Sequence, residues 1–309
     1  MKVIADLHTH TTYSQGKGTV LDNIAAAMAQ GYKAIGITEH GPRSAPWAGA
    51  SLQDLEAMRR EVSELDRRAV GMRVLAGVEC NIISASGDLD VPAGLRQQLD
   101  IVLAGLHPGI LPKSGTDWLA LAGSNWAARI SRPWGRRARA INTRAVVEAV
   151  LRNDIDVITH PGHLLDIDTA ELARACAMRG TALEISARHR EMTAEFCRLA
   201  AREGALFVIS SDAHSPCDVG DVARGLAVAK AAGLTPAQVL NVEGGALFEW
   251  LERKRARRAR QSGWEDWAAQ PALDRAGRAA TPGGPRREEE GQERRRSYWT
   301  DWSSQGKIH

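Results

Sequence analysis

Seven short apolar runs, each separated from the next by enough chain for a crossover helix, dominate this sequence. They are Val3-Ile4-Ala5, Ala34 to Thr38, Val74 to Val78, Ile101 to Leu106, Ile155 to Thr159, Ala182 to Ile185 and Leu206 to Ile209. Continuous apolar runs of this length mark strands buried on both faces, as in a parallel sheet. Helical periodicity fills the gaps. Ile24, Ala27 and Met28 follow a cap at Thr19 or Asp22, and Leu55, Met58, Val62 and Leu65 share one face of a charged helix over 52–69. Further helices are expected over 143–153, 169–179, 193–203, 219–232 and 236–252. Strand alternating with helix implies an α/β fold.

The ionisable residues decide between an open sheet and a closed one. His8, His10, His40, Glu79, His107, His160, Asp212 and His214 all fall at or just past the C-terminal end of an apolar run. Six of the chain's nine histidines are in that set, far more than random placement gives. In a parallel barrel those strand ends converge on one face, where active sites are built. An open sheet would spread them along a line; closure brings the first strand's residues next to the last strand's. The expectation is therefore a single α/β barrel over 1–252. A Trp- and Arg-rich excursion over about 112–140 is read as an insertion or lid, or else as a partner-binding or merely packed excursion. From Arg253 onward a basic block and mixed charge runs without apolar periodicity suggest a disordered tail over 253–309, or an arm for a polyanion.

Composition removes several classes. The net charge of +3 is mild, and the four cysteines form no C-x-x-C pair, so neither a zinc knuckle nor a disulfide framework is indicated. Cys80 and Cys217, which flank the histidine motifs, are expected as small buried fillers. The first apolar run begins at residue 3 and no run approaches a membrane span, which points to a cytoplasmic protein without a membrane partner. There is no G-x-S-x-G, no P-loop and no strand-linked G-x-G-x-x-G, which disfavours serine hydrolases, NTPases and dinucleotide enzymes.

Six imidazoles and two carboxylates without a thiolate suit Zn²⁺, Mn²⁺ or Fe²⁺. They exceed the needs of one tetrahedral ion, so two to three divalent ions are expected, with Glu79 able to bridge a pair. Paired ions lower the pKa of a shared water and clamp the oxygens of a phosphoryl transfer, so no serine or cysteine nucleophile is required.

The segments Asp6-Leu7-His8-Thr9-His10, Ile37-Thr38-Glu39-His40-Gly41-Pro42, Gly77-Val78-Glu79, Gly105-Leu106-His107, Thr159-His160-Pro161-Gly162 and Ser211-Asp212-Ala213-His214 together resemble the ordered motifs of the PHP (polymerase and histidinol phosphatase) domain family. The resemblance covers about residues 1–250. It implies a distorted (β/α)7 barrel with a trinuclear metal site at the strand C-termini, usually hydrolysing phosphoesters. It further implies one ion on His8, His10, Glu79 and Asp212, a second on Glu79, His107 and His160, and a third on His40 and His214. Phosphatase-like members carry another histidine in the loop after His10; here Ser14-Gln15-Gly16 has none, and a weakly held third ion is expected.

Six further residues are weighed. His163 is read as supporting rather than ligating, and Glu184 as a carboxylate that orients a histidine. Arg188 and His189, in the loop after the sixth run, are candidates for binding phosphate or protonating a leaving group, or simply surface residues. Lys17 and Arg43 are candidates to meet an anionic substrate. The functional expectation is a phosphatase of small metabolites (histidinol phosphate, a nucleotide or a sugar phosphate) using metal-bound hydroxide. The alternatives are a nucleic-acid phosphodiesterase or exonuclease, and a non-catalytic metal-binding scaffold.

Overall fold

The computed structural model describes residues 1–44, 48–69 and 71–269. Its frame is one sheet of seven parallel strands in sequential order: β1 (Ala5–Thr9), β2 (Ala34–His40), β3 (Arg73–Asn81), β4 (Ile101–Gly105), β5 (Val157–Ile158), β6 (Ala182–Ser186) and β7 (Leu206–Ser210). Each expected run overlaps one strand, the first only at Ala5, since Val3 instead bridges Val242. Several reach further toward the C-terminal end than the apolar residues alone: β2 takes in Glu39 and His40, and β3 takes in Glu79 and Asn81.

Between the strands lie α1 (Val20–Ala29), α2 (Leu52–Arg68), α3 (Ala93–Arg96), α4 (Gly115–Trp118), α5 (Ser124–Ala128), α6 (Arg132–Arg152), α7 (Thr169–Arg179), α8 (Ala194–Arg202) and α9 (Ala223–Ala232); α10 (Leu247–Ala269) follows the sheet. Local chemistry sets their ends. Thr19 with Asp22 and Ser51 with Asp54 form reciprocal capping boxes, so the helix α1 starts from Thr19. Asp168 and Thr193 cap α7 and α8, and Gly180 ends α7 at φ 65°, a conformation that favours glycine.

The sheet closes into a nearly complete barrel. At the top of the seam the His10 N–H donates to the Ala213 carbonyl at 2.8 Å, and Thr9 pairs with Ala213 in parallel. At the bottom the strands are joined through Asn241. Its amide nitrogen donates to Ala5 O at 2.8 Å and to Ile209 O at 2.6 Å, while its oxygen accepts from Ile209 N at 2.9 Å. Beneath, Leu240, Leu247, Trp250 and Leu251 pack into a buried cluster with Leu7, Leu75, Ile101, Leu103 and Val208, plugging the floor.

Alternation then sorts the interior into tiers. On β4, Ile101 and Leu103 join the floor cluster and His107 stands two residues beyond Gly105; on β3, Leu75 lies two pairs below Glu79. A side chain at Gly105 would run into the His107 ring, 2.8 Å from its Cε1. Two strands break the parity. On β1 both Leu7 and His8 are inside, and the pairing with β2 slips by one residue between Asp6 and Thr9, a bulge that turns His8 and His10 inward. Gly36 permits it, since a Cβ there would stand 2.7 Å from Leu7 O. After β5, His160 achieves the same switch with a φ of 26°.

Several expectations change. The excursion over 112–140 is α4, a π-helical turn at Leu119–Gly123, α5 and the first turns of α6, so its last part, 132–140, is an extension of a barrel helix. It folds back on α6 through paired amides, Asn125 Nδ2 to Asn142 Oδ1 at 2.8 Å and Asn142 Nδ2 to Asn125 Oδ1 at 2.9 Å. The helix expected over 236–252 starts at Leu247. It also continues past Arg253 to Ala269, because Lys254, fourth below Trp250, reaches inward to Ile155 O at 2.8 Å and to Asp154 and Asp156 at 3.4 and 3.5 Å. The tail thus does not begin at Arg253. Residues 256–269 are the described part of a second unit, and 270–309 lie outside the described residues. Cys217 is exposed rather than a buried filler, since it sits on a short 3-10 turn at Pro216–Asp218; Cys80 is buried. No helix of the described residues is long and apolar enough to cross a membrane.

Replacing Asn241 by Ala strands three buried backbone groups on β1 and β7, and is expected to destabilise the fold by about 2–4 kcal/mol in urea unfolding.

Candidate metal centre

The expected ligands meet at the C-terminal end of the barrel. Tetrahedral ligands about 2.1 Å from an ion stand about 3.4 Å from one another. His8 Nε2 lies 3.1 Å from His10 Nε2, 3.2 Å from Glu79 Oε2 and 3.7 Å from Asp212 Oδ1. His10 Nε2 lies 3.4 Å from Asp212 Oδ1 and 3.7 Å from Glu79 Oε2. His8, His10 and Glu79 thus form one compact group of donor atoms, with Asp212 beside its two imidazoles. A second set uses the other Glu79 oxygen: Oε1 is 3.1 Å from His107 Nε2 and 3.0 Å from His160 Nε2, and those nitrogens are 3.3 Å apart. Glu79 Oε2 is buried, 2.8 Å from His40 Nδ1, yet accepts no hydrogen bond, and His10 Nδ1 and His40 Nδ1 are likewise unpartnered. A buried carboxylate oxygen facing imidazoles without a hydrogen bond is an environment that a cation satisfies. The residues therefore fit divalent metal.

His40 and His214 form a third group with Gln15 between them, its amide nitrogen 2.6 Å from His40 Nε2 and 2.9 Å from His214 Nε2. Gln15 occupies the point of the loop where the additional histidine was missed. The loop is shaped by Glu39, a buried carboxylate that accepts from the Thr11 N–H at 2.9 Å, the Thr11 hydroxyl at 2.5 Å and the Ser14 hydroxyl. Burial pushes Glu39 up to about 7 against those donors. Its adjacency to His40 was visible in the sequence; its hold on a loop twenty-odd residues earlier was not.

Partners behind the ligands fix which nitrogen faces inward. Glu184 Oε1 is 2.7 Å from His8 Nδ1, and its other oxygen accepts from the His160 N–H at 2.7 Å, so one carboxylate orients two motifs. Asn81 Oδ1, 2.8 Å away, accepts from His107 Nδ1, and the Asp212 carbonyl, at 2.9 Å, accepts from His214 Nδ1. Asp90 in turn accepts from the Asn81 amide at 2.6 Å. Asp212 and His160 both have positive φ, 57° and 26°; such strain in non-glycine residues collects at functional sites.

Charge runs strongly through the cluster. Burial alone would raise Glu79 and Asp212, but the imidazoles around them, His8 foremost, hold both carboxyls well below the usual range. Burial opposes charge on His8, yet Glu184, Glu79 and Asp212 raise its pKa well above the ordinary value. His10 goes the other way, lowered well below by burial and by His40.

The weaker candidates separate. His189 Nε2 is 2.9 Å from Asp212 Oδ2, at the edge of the cluster. The Arg188 charge lies near enough to His214 to oppose its protonation, adding to burial. His163 pairs with Glu191 at 3.1 Å and packs its ring 3.9 Å from that of His189, outside the two Glu79-centred sets. The Arg43 guanidinium donates to Pro112 O at 3.0 Å, while the exposed Lys17 has its backbone N–H on His214 O at 2.9 Å.

A family model described as "PHP domain" matches residues 6–201. The chain belongs to the PHP domain family. A protein named probable phosphatase from Thermoanaerobacter sp. (strain X514) is 32% identical over 265 residues, covering 82% of this chain and 97% of its own. Another so named, from Edwardsiella ictaluri (strain 93-146), is 29% identical over 263 residues, covering 81% of this chain and 94% of its own. The expected class, a hydrolase of phosphoric esters, is the one these relatives are named for. Among solved structures, histidinol phosphate phosphatase from Lactococcus lactis subsp. lactis Il1403, complexed with zinc, L-histidinol and phosphate, shares the fold. It gives a TM-score of 0.55 at 18% identity, over 79% of this PHP chain and 98% of its own.

Removing the carboxylate that orients two histidines should loosen the site without abolishing it: Glu184→Ala is expected to lower metal affinity by about 10- to 100-fold in competition with a chelator.

Proposed function

We propose that this PHP protein is a metal-dependent phosphomonoesterase of small phosphorylated metabolites. The ions would be two to three of Zn²⁺, Mn²⁺ or Fe²⁺, held by His8, His10, Glu79 and Asp212, by Glu79, His107 and His160, and by His40 and His214. The observation that carries the reading is the set of donor separations near 3.4 Å in two groups that share the two oxygens of Glu79. Bound there, such ions supply an acidified water and neutralise phosphate charge.

The chain's own groups do the rest. Glu184, Asn81 and the Asp212 carbonyl keep the Nε2 atoms of His8, His107 and His214 turned inward. Glu79 and Asp212 remain charged at neutral pH, as ligands require. His189 stands where its Nε2 can donate to a bound phosphate or to the departing oxygen, and Arg188 supplies positive charge beside it. Histidinol phosphate heads the candidate substrates because the Lactococcus neighbour was solved with L-histidinol and phosphate; nucleotide and sugar phosphates follow.

The test is hydrolysis of a phosphomonoester panel by protein stripped of metal and reloaded separately with each of the three ions. Phosphate release that depends on metal is expected, and no release with any ion rejects the reading. Glu79→Ala is expected to lose both the bound ions and turnover, whereas wild-type turnover in that variant would reject Glu79 as the shared ligand. Because a neutral amide stands between His40 and His214, the third ion should be held weakly. Gln15→His is expected to raise the number of tightly bound ions after dialysis, read by metal analysis.

A further inference from the structure

The helix α9 opens against the usual electrostatics. Its first turn carries Arg224, contains no acidic residue, and Val222 ahead of it provides no side-chain cap. A cation in that position opposes the helix dipole, so the arginine answers to something other than helix formation.

Its guanidinium is spent on one loop. Arg224 Nη1 donates to Ala187 O at 3.0 Å and Arg188 O at 3.4 Å, and Nη2 donates to His189 O at 2.9 Å. The same loop is held from its other edge: the N–H groups of Arg188 and His189 both donate to Ser186 Oγ at 3.2 Å. Past Ala187, whose N–H donates to Ser210 O at 2.8 Å, the chain has left the sheet ladder. Gly225 lets α9 come close enough for this grip, since a Cβ there would stand 2.6 Å from Ile209 Cγ2 and 3.0 Å from Ile185 O. With amides and carbonyls thus both engaged, His189 is held with Nε2 2.9 Å from Asp212 Oδ2.

We propose that Arg224 is a positioning residue: it fixes the backbone of residues 187–189 so that the His189 and Arg188 side chains are presented to the phosphoryl group. The inference rests on the phosphoesterase reading of the metal centre. Arg224 contacts no candidate ligand in the observed hydrogen bonds and acts through carbonyls alone. A planar guanidinium suits this task, because it spans three neighbouring acceptors with two nitrogens, which an ammonium cannot copy.

The experiment is a double-mutant cycle on the metal-loaded full chain with its best phosphomonoester. Arg224→Ala is expected to lower kcat/KM about tenfold with bound metal unchanged, because small misplacements of reacting groups are expensive in rate. Arg224→Lys should recover part of the loss, and added guanidinium should partly rescue Arg224→Ala. In a His189→Ala background, Arg224→Ala should cost nothing further. Wild-type kinetics in Arg224→Ala, or the same loss in both backgrounds, would overturn the proposal. An NMR reading of the His189 ring resonances separates this from the function itself. A shift in Arg224→Ala or Arg224→Lys supports the placement even if no phosphomonoester is turned over, which would reject the phosphoesterase reading alone. Unchanged resonances overturn the placement whatever the activity.

Discussion

Buried backbone groups at the meeting of β1 and β7 have no water to turn to, and the way they are satisfied determines everything above them. Asn241 serves both strands at the bottom of the seam and the Ala213 backbone serves β1 at the top. With the sheet so closed, His8 and His10 from the start of the chain stand within 3.7 Å of Asp212 Oδ1, two hundred residues later. Open the seam and Asp212 parts from His8, His10 and Glu79, while the donors on β3, β4 and β5 stay together.

Within the closed barrel a single rule of alternation places apolar side chains at the floor and polar ones at the mouth, and the departures from it are as informative as the rule. The bulge in β1 and the positive φ at His160 both exchange regular backbone for an inward imidazole. Asp212 pays a similar conformational cost. Such geometry persists because surrounding contacts over-determine it: Glu184 grips His8 and the His160 N–H together, so the two irregular strands brace one another across β6.

Much of this was legible in the sequence. Seven apolar runs, six of them followed by histidine or carboxylate, were enough for the α/β barrel, because burial on both faces writes itself as continuous hydrophobicity. The position of Gln15 was readable for the same reason, as a departure within a dense motif. Long-range polar pairings were not readable. Nothing near Asn241 or Arg224 in the sequence says that one joins two strands or that the other holds a loop, since each works through backbone atoms distant in the chain. Charge composition misled at α10. Lys254 reads as part of a basic block, yet it continues the spacing of Leu247, Trp250 and Leu251, and its ammonium finds Asp154 and Asp156 below the barrel.

The plug formed by Leu240, Leu247, Trp250 and Leu251 closes the floor of the barrel beneath the donor cluster. Approach to the centre is therefore from the mouth, the end at which the histidines and carboxylates stand. An ester and the phosphate it yields would use the same seat among those donors, so product and substrate would exclude one another there.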